Sequence, residues 1–269
     1  MNYIICSKHV YTYVEDYIKS ILQIISAIVV THIHYEDINN YICIQDIPHN
    51  LLHDKTNVYL LNIEQLSNIS KFNNHMLRYQ DYKNIKIIDY SYSNMFYYNH
   101  FQHKKFLLPY QLNMNEILNL NKEKNICLIG DQYIPPNRQN IIDILNQKNI
   151  HVDIINGFGK QRDEQLFEYK IILNISYHKD FNIFESIRCD RCIYNKMIVI
   201  SDMKNHIENY HLKDYVIFEE YENIPNKVAD VITNYEYYYD KLFKNFDFEQ
   251  ISTTIHELSK ETIEQLKII

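Results

Sequence analysis

Apolar runs of strand length punctuate the first part of the chain at 3–6, 27–33, 41–45, 58–63, 85–90 and 106–108. Continuous runs of this kind suit strands buried on both faces. Helix-length segments at 10–24 and 65–79 separate several of them, which predicts an α/β layer. After Leu108-Pro109-Tyr110 the texture turns polar (QLNMNEILNLNKEK), the mark of a linker. A cleaner alternation follows. It comprises a strand at 125–130 ending in Gly130, a helix at 137–148, a strand at 151–155, a short helix at 164–169 and a strand at 171–175. A helix at 183–195, strands at 197–200 and 215–218, and a helix at 224–239 come next. In the closing segment, 249–268, Ile251, Ile255, Leu258, Ile263 and Leu266 recur at helical spacing. The pattern predicts two Rossmann-like halves: an N-terminal domain 1–112, a linker 113–124 and a C-terminal domain 125–245. A terminal helix, 246–269, is free to fold back on the first domain.

The stretch 170–202 reads as a β-α-β unit, whose ligands sit at the carboxyl ends of parallel strands. Its loop and first helical turn gather Asn174, His178, Glu185 and Arg188. Glu185 and Arg188 are three apart and share a helix face. A carboxylate suits sugar hydroxyls and a guanidinium suits phosphate, so the pair points to a phosphorylated, nucleotide-sugar-like ligand. A plain surface ion pair is the ordinary alternative.

Arg138 follows Asn137 where the glycine-ended strand turns into a helix, a place for an anion or simply for a capped helix with a solvated arginine. In the loop 156–163 (NGFGKQRD), Lys160 and Arg162 are open to the same two readings, the ordinary one starting a helix at Asp163. In the first half, Asn62-Ile63-Glu64 and Asp89-Tyr90-Ser91 with Asn94 close apolar strands with polar side chains. Glu64, Asp89 or a nearby histidine is the candidate catalytic base; Tyr90, Ser91 and Asn94 are candidate acceptor-side residues, with helix capping as the alternative. Cys189-Asp190-Arg191-Cys192 lacks the second ligand pair of a zinc site and falls in mid-helix, unlike a redox motif.

Composition narrows the classes. A formal net charge of −7 without a basic tract argues against nucleic acid as the main partner. The apolar stretch 21–30 is too short to span a bilayer, and MNYIICSKHV has no signal-peptide pattern. Five scattered cysteines fit reduced, buried thiols. The expectation is a soluble cytoplasmic protein.

With these residues in place, the chain resembles the GT-B glycosyltransferases of large DNA viruses and bacteria. The similarity runs over the strand before Asn137-Arg138, Gly159-Lys160-Gln161-Arg162-Asp163, Lys170-Ile171-Ile172-Leu173-Asn174, Phe184-Glu185-Ser186-Ile187-Arg188 and Val199-Ile200-Ser201-Asp202. In the first half it rests on Leu61-Asn62-Ile63-Glu64-Gln65, Asp89-Tyr90-Ser91 with Asn94, and Leu108-Pro109-Tyr110. The resemblance implies a GT-B-like α/β fold, with two Rossmann-like parallel-sheet domains facing a cleft. It implies transfer of a hexose or pentose from a nucleotide-diphosphate-sugar donor to a hydroxyl of a glycan or protein acceptor, without a metal cofactor. By that likeness Glu185 binds the donor ribose, and Arg138, Lys160, Arg162 and Arg188 hold the diphosphate. Asn174, His178 and Asp202 complete the donor-binding set. A viral chain of this kind works in glycan biosynthesis in the host cytoplasm. Two departures stand out. Asp202 replaces the family's glutamate after serine, and Tyr177 sits where many retaining members place an acid eight residues before Glu185. The stereochemical outcome stays open. A non-catalytic sugar- or nucleotide-binding module that keeps the fold is the alternative, and a purely structural α/β protein is the third reading.

Overall fold

The computed structural model describes residues 1–31, 40–52, 57–66, 78–99, 101–131 and 133–267. The helix expected at 65–79 and the end of the strand expected at 27–33 therefore lie largely outside the described residues. The chain divides into two compact units: Met1–Leu112 with Glu249–Ile269, and Asn113–Phe248.

The first unit carries a six-stranded sheet among the described residues: β1 (Asn2–Ile5), β2 (Ala27–Val30), β3 (Asn40–Ile44), β4 (Val58–Asn62), β5 (Ile85–Asp89) and β6 (Lys105–Leu107). Its order is β2-β1-β3-β4-β5-β6, and every pairing is parallel. β3 and β4 are buried along their whole length, as their unbroken apolar runs require. Helix α1 (Lys8–Ile21) starts at Ser7, whose hydroxyl accepts from the Val10 amide at 3.2 Å. It buries Val14, Tyr17, Ile18 and Ile21, an i, i+3, i+4, i+7 stripe.

The second unit carries β7 (Lys124–Ile129), β8 (Asp153–Ile155), β9 (Tyr169–Asn174), β10 (Ile198–Asp202) and β11 (Val216–Glu219). They form a parallel sheet in the order β11-β10-β9-β7-β8. Its helices are α2 (Pro136–Gln147), α3 (Gly159–Leu166), α4 (Ser186–Tyr194), α5 (Ile224–Thr233) and α6 (Tyr235–Phe243). Helix α7 (Phe248–Lys267) closes the chain and joins the first unit from Glu249 on. Hydrogen bonds tie it there. The Thr262 hydroxyl donates to Leu107 O at 2.6 Å, Gln111 Nε2 to Ser259 Oγ at 2.9 Å and Asn40 Nδ2 to Leu266 O at 3.2 Å.

Residues 113–118 are held by the second unit. Arg191 Nε donates to Glu116 Oε2 at 2.9 Å, and Asn195 clasps the Glu116 carbonyl and the Leu118 amide.

Three helix expectations change. The helix expected from 183 begins at Ser186, because Ile183 and Phe184 enter the core from an irregular loop rather than from a helix face. The helix expected at 164–169 begins five residues earlier, at Gly159. Gly157 and Gly159 take φ of 94° and 64°, a left-handed backbone open to glycine, and deliver the chain into the helix there. The helix expected at 224–239 is broken at Asn234 into α5 and α6, with the Asn234 amide donating to Asp230 Oδ1 at 2.7 Å.

Candidate functional site

In the second sheet the strand order reverses between β7 and β9, the switch point where open α/β sheets bind ligands at the carboxyl edge. Gly130 follows β7, and an added Cβ there would come within 3.2 Å of Ile154 Cγ2 and 3.3 Å of Leu128 Cδ2, so a larger residue requires those side chains to shift by a few tenths of an ångström. Helix α2 then starts with Pro135 and Pro136, and no side chain caps its first turn.

Arg138 sits in that turn, buried to 7 % exposure. Its Nε donates to Ile175 O at 2.8 Å, and Asn137 Nδ2 reaches Ser176 O at 3.5 Å. The start of α2 is thus stitched to the loop after β9. Burial pulls the Arg138 pKa below its ordinary value, the charge of Arg188 pulls it further, and Glu185 and Asp202 act in the opposite sense. The outer guanidinium nitrogens of Arg138 have no hydrogen-bond partner among the described residues.

Glu185 occupies the N-cap position of α4, one residue before the helix rather than in its first turn, and makes no side-chain cap bond. Its carboxylate forms an ion pair with Arg188 Nη1. Next to it, the Ser186 hydroxyl is buried without a hydrogen-bond partner among the described residues. A buried orphan hydroxyl at a helix N-terminus is an unfilled hydrogen-bonding position.

Asp202 is not open to a ligand in this arrangement. Its carboxylate lies 2.6 Å from Ser176 Oγ, accepts from the Ser176 amide at 3.2 Å and pairs with the buried Lys204 ammonium at 2.7 Å. Lys204 also donates to Ser176 Oγ. This knot fixes the loop after β9, to which Arg138 is bonded. Ser176, Lys204 and Ser186 were not singled out from sequence. A lysine two residues beyond a buried strand, in Ser201-Asp202-Met203-Lys204, is the one local signal that was there to find.

Other expected donor residues are placed elsewhere. The Asn174 side chain is buried and donates across the sheet to Ser201 Oγ at 3.1 Å, so it ties β9 to β10. Arg162 is turned inward, its Nε 2.9 Å from Asp163 Oδ1, in a buried group with Arg191. Lys160 is exposed on α3 and pairs with Glu164 at 3.6 Å. His178 is exposed and lies 3.0 Å from Asp180. Cys189 and Cys192 are free buried thiols, and burial pushes Cys192 up to about 12. Among the described residues no group of three or more His, Cys, Asp or Glu is placed to hold a metal ion, and no helix is long and apolar enough to cross a membrane.

In the first unit, β4 and β5 end in Asn62 and Asp89. Asp89 is fully buried and accepts from Tyr98 OH (2.6 Å), Asn62 Nδ2 (2.7 Å), the Ser91 amide (2.8 Å) and Asn94 Nδ2 (3.0 Å). Burial pushes its carboxyl up to about 6 against these four donors. Its lone pairs are engaged and no face is open, so it is a packing hub and not an accessible base. Tyr90, Ser91 and Asn94, expected on the acceptor side, are likewise buried. Asn94 bridges the two loops, donating to Glu64 O at 2.9 Å and accepting from the Leu66 amide at 2.9 Å. Glu64 remains partly exposed, with Gln45 Nε2 on its Oε1 at 2.7 Å.

The chain is 31 % identical over 228 residues to uncharacterized protein R358 of Acanthamoeba polyphaga mimivirus, covering 81 % of this chain and 77 % of that one. The chain belongs to the R358 family. No family model matches it. Among solved structures, an α1,3-fucosyltransferase matches with a TM-score of 0.56 and 12 % identity, over 98 % of this chain and 90 % of that one. T4 phage BGT in complex with UDP and Mn2+ matches with a TM-score of 0.55 and 12 % identity, each chain covered in full. S. aureus TarM, in complex with UDP and α-GlcNAc-glycerol, matches with a TM-score of 0.51 and 11 % identity over 82 % of this chain, which spans 55 % of TarM. These are GT-B glycosyltransferases, and the R358-family chain shares their fold: two parallel-sheet α/β domains.

Proposed function

We propose that the chain is a GT-B glycosyltransferase that moves a sugar from a nucleotide-diphosphate-sugar donor to a hydroxyl acceptor, the donor being held by the second unit. The observation that carries this reading is the convergence of Arg138 and Arg188 at the β7/β9 switch point. Arg138 is buried, with outer nitrogens that make no hydrogen bond among the described residues, and it feels the like charge of Arg188. A bound diphosphate relieves that repulsion and fills the donor positions of both guanidiniums. The amide-rich starts of α2 and α4 and the orphan Ser186 hydroxyl add neutral donors. Catalysis then rests on positioning and on stabilising the departing diphosphate. With two guanidiniums meeting the phosphates, donor binding proceeds without a divalent cation. In this scheme Asp202 and Lys204 are positioning residues, Asn174 and Arg162 are structural, and Lys160 and His178 lie at the exposed rim. Of the two candidate carboxylate bases, Glu64 is the one that stays partly exposed.

Glu185 is assigned to the donor ribose, and it also orients Arg188. Glu185→Ala is expected to weaken UDP or GDP binding by about tenfold, the loss of roughly one charged hydrogen bond. A ribose contact makes that loss larger for the nucleotide than for inorganic pyrophosphate. Equal losses, measured by calorimetry, would leave Glu185 only the task of orienting Arg188.

The activity is tested by incubating the chain with UDP-glucose, UDP-N-acetylglucosamine, GDP-mannose or GDP-fucose and following release of nucleoside diphosphate with neutral saccharide acceptors. Release from one donor supports transfer. Binding without release or transfer supports the second reading, a sugar-nucleotide-binding module, which the burial of Asp89 favours by removing one of the two candidate bases.

A further inference from the structure

The turn after β5, residues 91–98, leads into the 3-10 segment Ser93–Tyr98 and buries polar side chains that a surface turn ordinarily exposes. Its polar residues point inward: Ser91, Ser93 and Asn94 are buried, Asn94 completely, on the Asp89 hub and the Glu64 carbonyl. Two aromatic side chains there point outward while Tyr97 and Tyr98 pack on the core: Tyr92 is 44 % exposed and Phe96 38 %, their rings edge to face with centroids 5.9 Å apart. Burying amides while exposing rings inverts the ordinary preference, and the four hydrogen bonds at Asp89 hold the segment in that posture.

Polar groups that follow β3 and β4 lie along the same carboxyl edge of the sheet. β3 is followed by Gln45, a non-glycine residue at φ 64°, a left-handed conformation that is costly and gathers at functional sites. The Gln45 amide donates to Glu64 Oε1, and its own carbonyl oxygen has no partner among the described residues. Glu64 is joined through its backbone to Asn94, in the segment that bears the rings. An amide oxygen, a carboxylate and two outward rings along one carboxyl edge are the groups that recognise a pyranose. The acceptors take hydroxyl protons, while an aromatic face covers the apolar C–H side of the ring.

We propose that the carboxyl edge of the first unit is a saccharide platform, with Tyr92 and Phe96 stacking an uncharged sugar ring and Gln45 and Glu64 accepting its hydroxyls. The assignment of that sugar as the acceptor, with Glu64 taking the proton of its attacking hydroxyl, rests on the glycosyl-transfer reading. The binding of the sugar does not.

The test is saturation-transfer NMR on the full chain with the methyl glycosides of glucose, galactose, mannose, fucose, rhamnose, xylose and N-acetylglucosamine. The expected result is transfer to ring C–H protons of at least one glycoside. Tyr92→Ala/Phe96→Ala should lower its affinity by about tenfold, the scale of an aromatic contact. Tyr13→Ala, which removes an exposed tyrosine on α1, should change nothing. No transfer to any glycoside, or equal transfer in the double variant, overturns the platform. Thermal unfolding of the same samples with UDP and GDP reads the donor site separately. Glycoside binding without nucleotide binding supports the platform and counts against the transferase reading. Nucleotide binding without glycoside binding overturns the platform alone.

Discussion

Arg138→Ala is expected to cost about 2–4 kcal/mol of nucleotide affinity, roughly 30- to 1,000-fold in dissociation constant. A guanidinium buried at a helix start, which feels the like charge of Arg188, is electrostatically unfavourable without an anion, and among the described residues only its Nε is bonded, to the Ile175 carbonyl. An anion supplies what the protein leaves out, so the arginine contributes more to the bound state than to the free one. Arg138→Lys separates charge from geometry. It keeps a cation but loses the fork and the tether to the β9 loop, and an intermediate affinity is expected. Calorimetric titration with UDP and GDP measures both variants. Wild-type affinity in a folded Arg138→Ala chain would remove the residue from the site.

The largest effect on stability is expected at Asp89. Asp89→Ala leaves Tyr98, Asn62, Asn94 and the Ser91 amide without their acceptor in a dry interior, a loss of about 3–5 kcal/mol. The cost depends on pH with a definite sign. Burial raises the folded carboxyl from 3.8 to about 6, so the folded state holds its proton more tightly than the unfolded chain. The stability this adds is fully present below the unfolded pKa and is lost as pH rises through about 6. The substitution should therefore cost more near pH 4 than near pH 7, by up to about 3 kcal/mol. Urea unfolding of both proteins at the two pH values checks it. An equal cost, or a larger one at neutral pH, would mean that the four donors outweigh burial.

Much of the second unit was legible in the sequence because its strands are buried on both faces and read as unbroken apolar runs. Ile171-Ile172-Leu173 and Ile198-Val199-Ile200 became adjacent parallel strands. The Glu185–Arg188 pairing followed from i, i+3 spacing alone and is present. What escaped is long-range. Ser176 and Lys204 meet across 28 positions, and Arg162 turns inward beside Asp163, which Arg191 also engages across 28 positions. Local spacing reports neither. In the first unit, Asn62, Asp89 and Asn94 were seen as polar strand ends, but polarity does not tell which way a side chain turns. Their mutual hydrogen bonds stabilise them inside, while Tyr92 and Phe96 beside them face solvent.

The most direct test of the donor site is thermal unfolding with UDP, GDP, CDP and TDP, each with EDTA and with magnesium. A ligand at a hundredfold its dissociation constant stabilises by about 2.7 kcal/mol, which at roughly 2–4 °C per kcal/mol is a shift of about 5–11 °C. One nucleotide should produce that shift in EDTA as fully as in magnesium, and Arg138→Ala should abolish it. No shift with any of the four, or a shift that appears only with the metal, would contradict the account in which two guanidiniums hold the diphosphate.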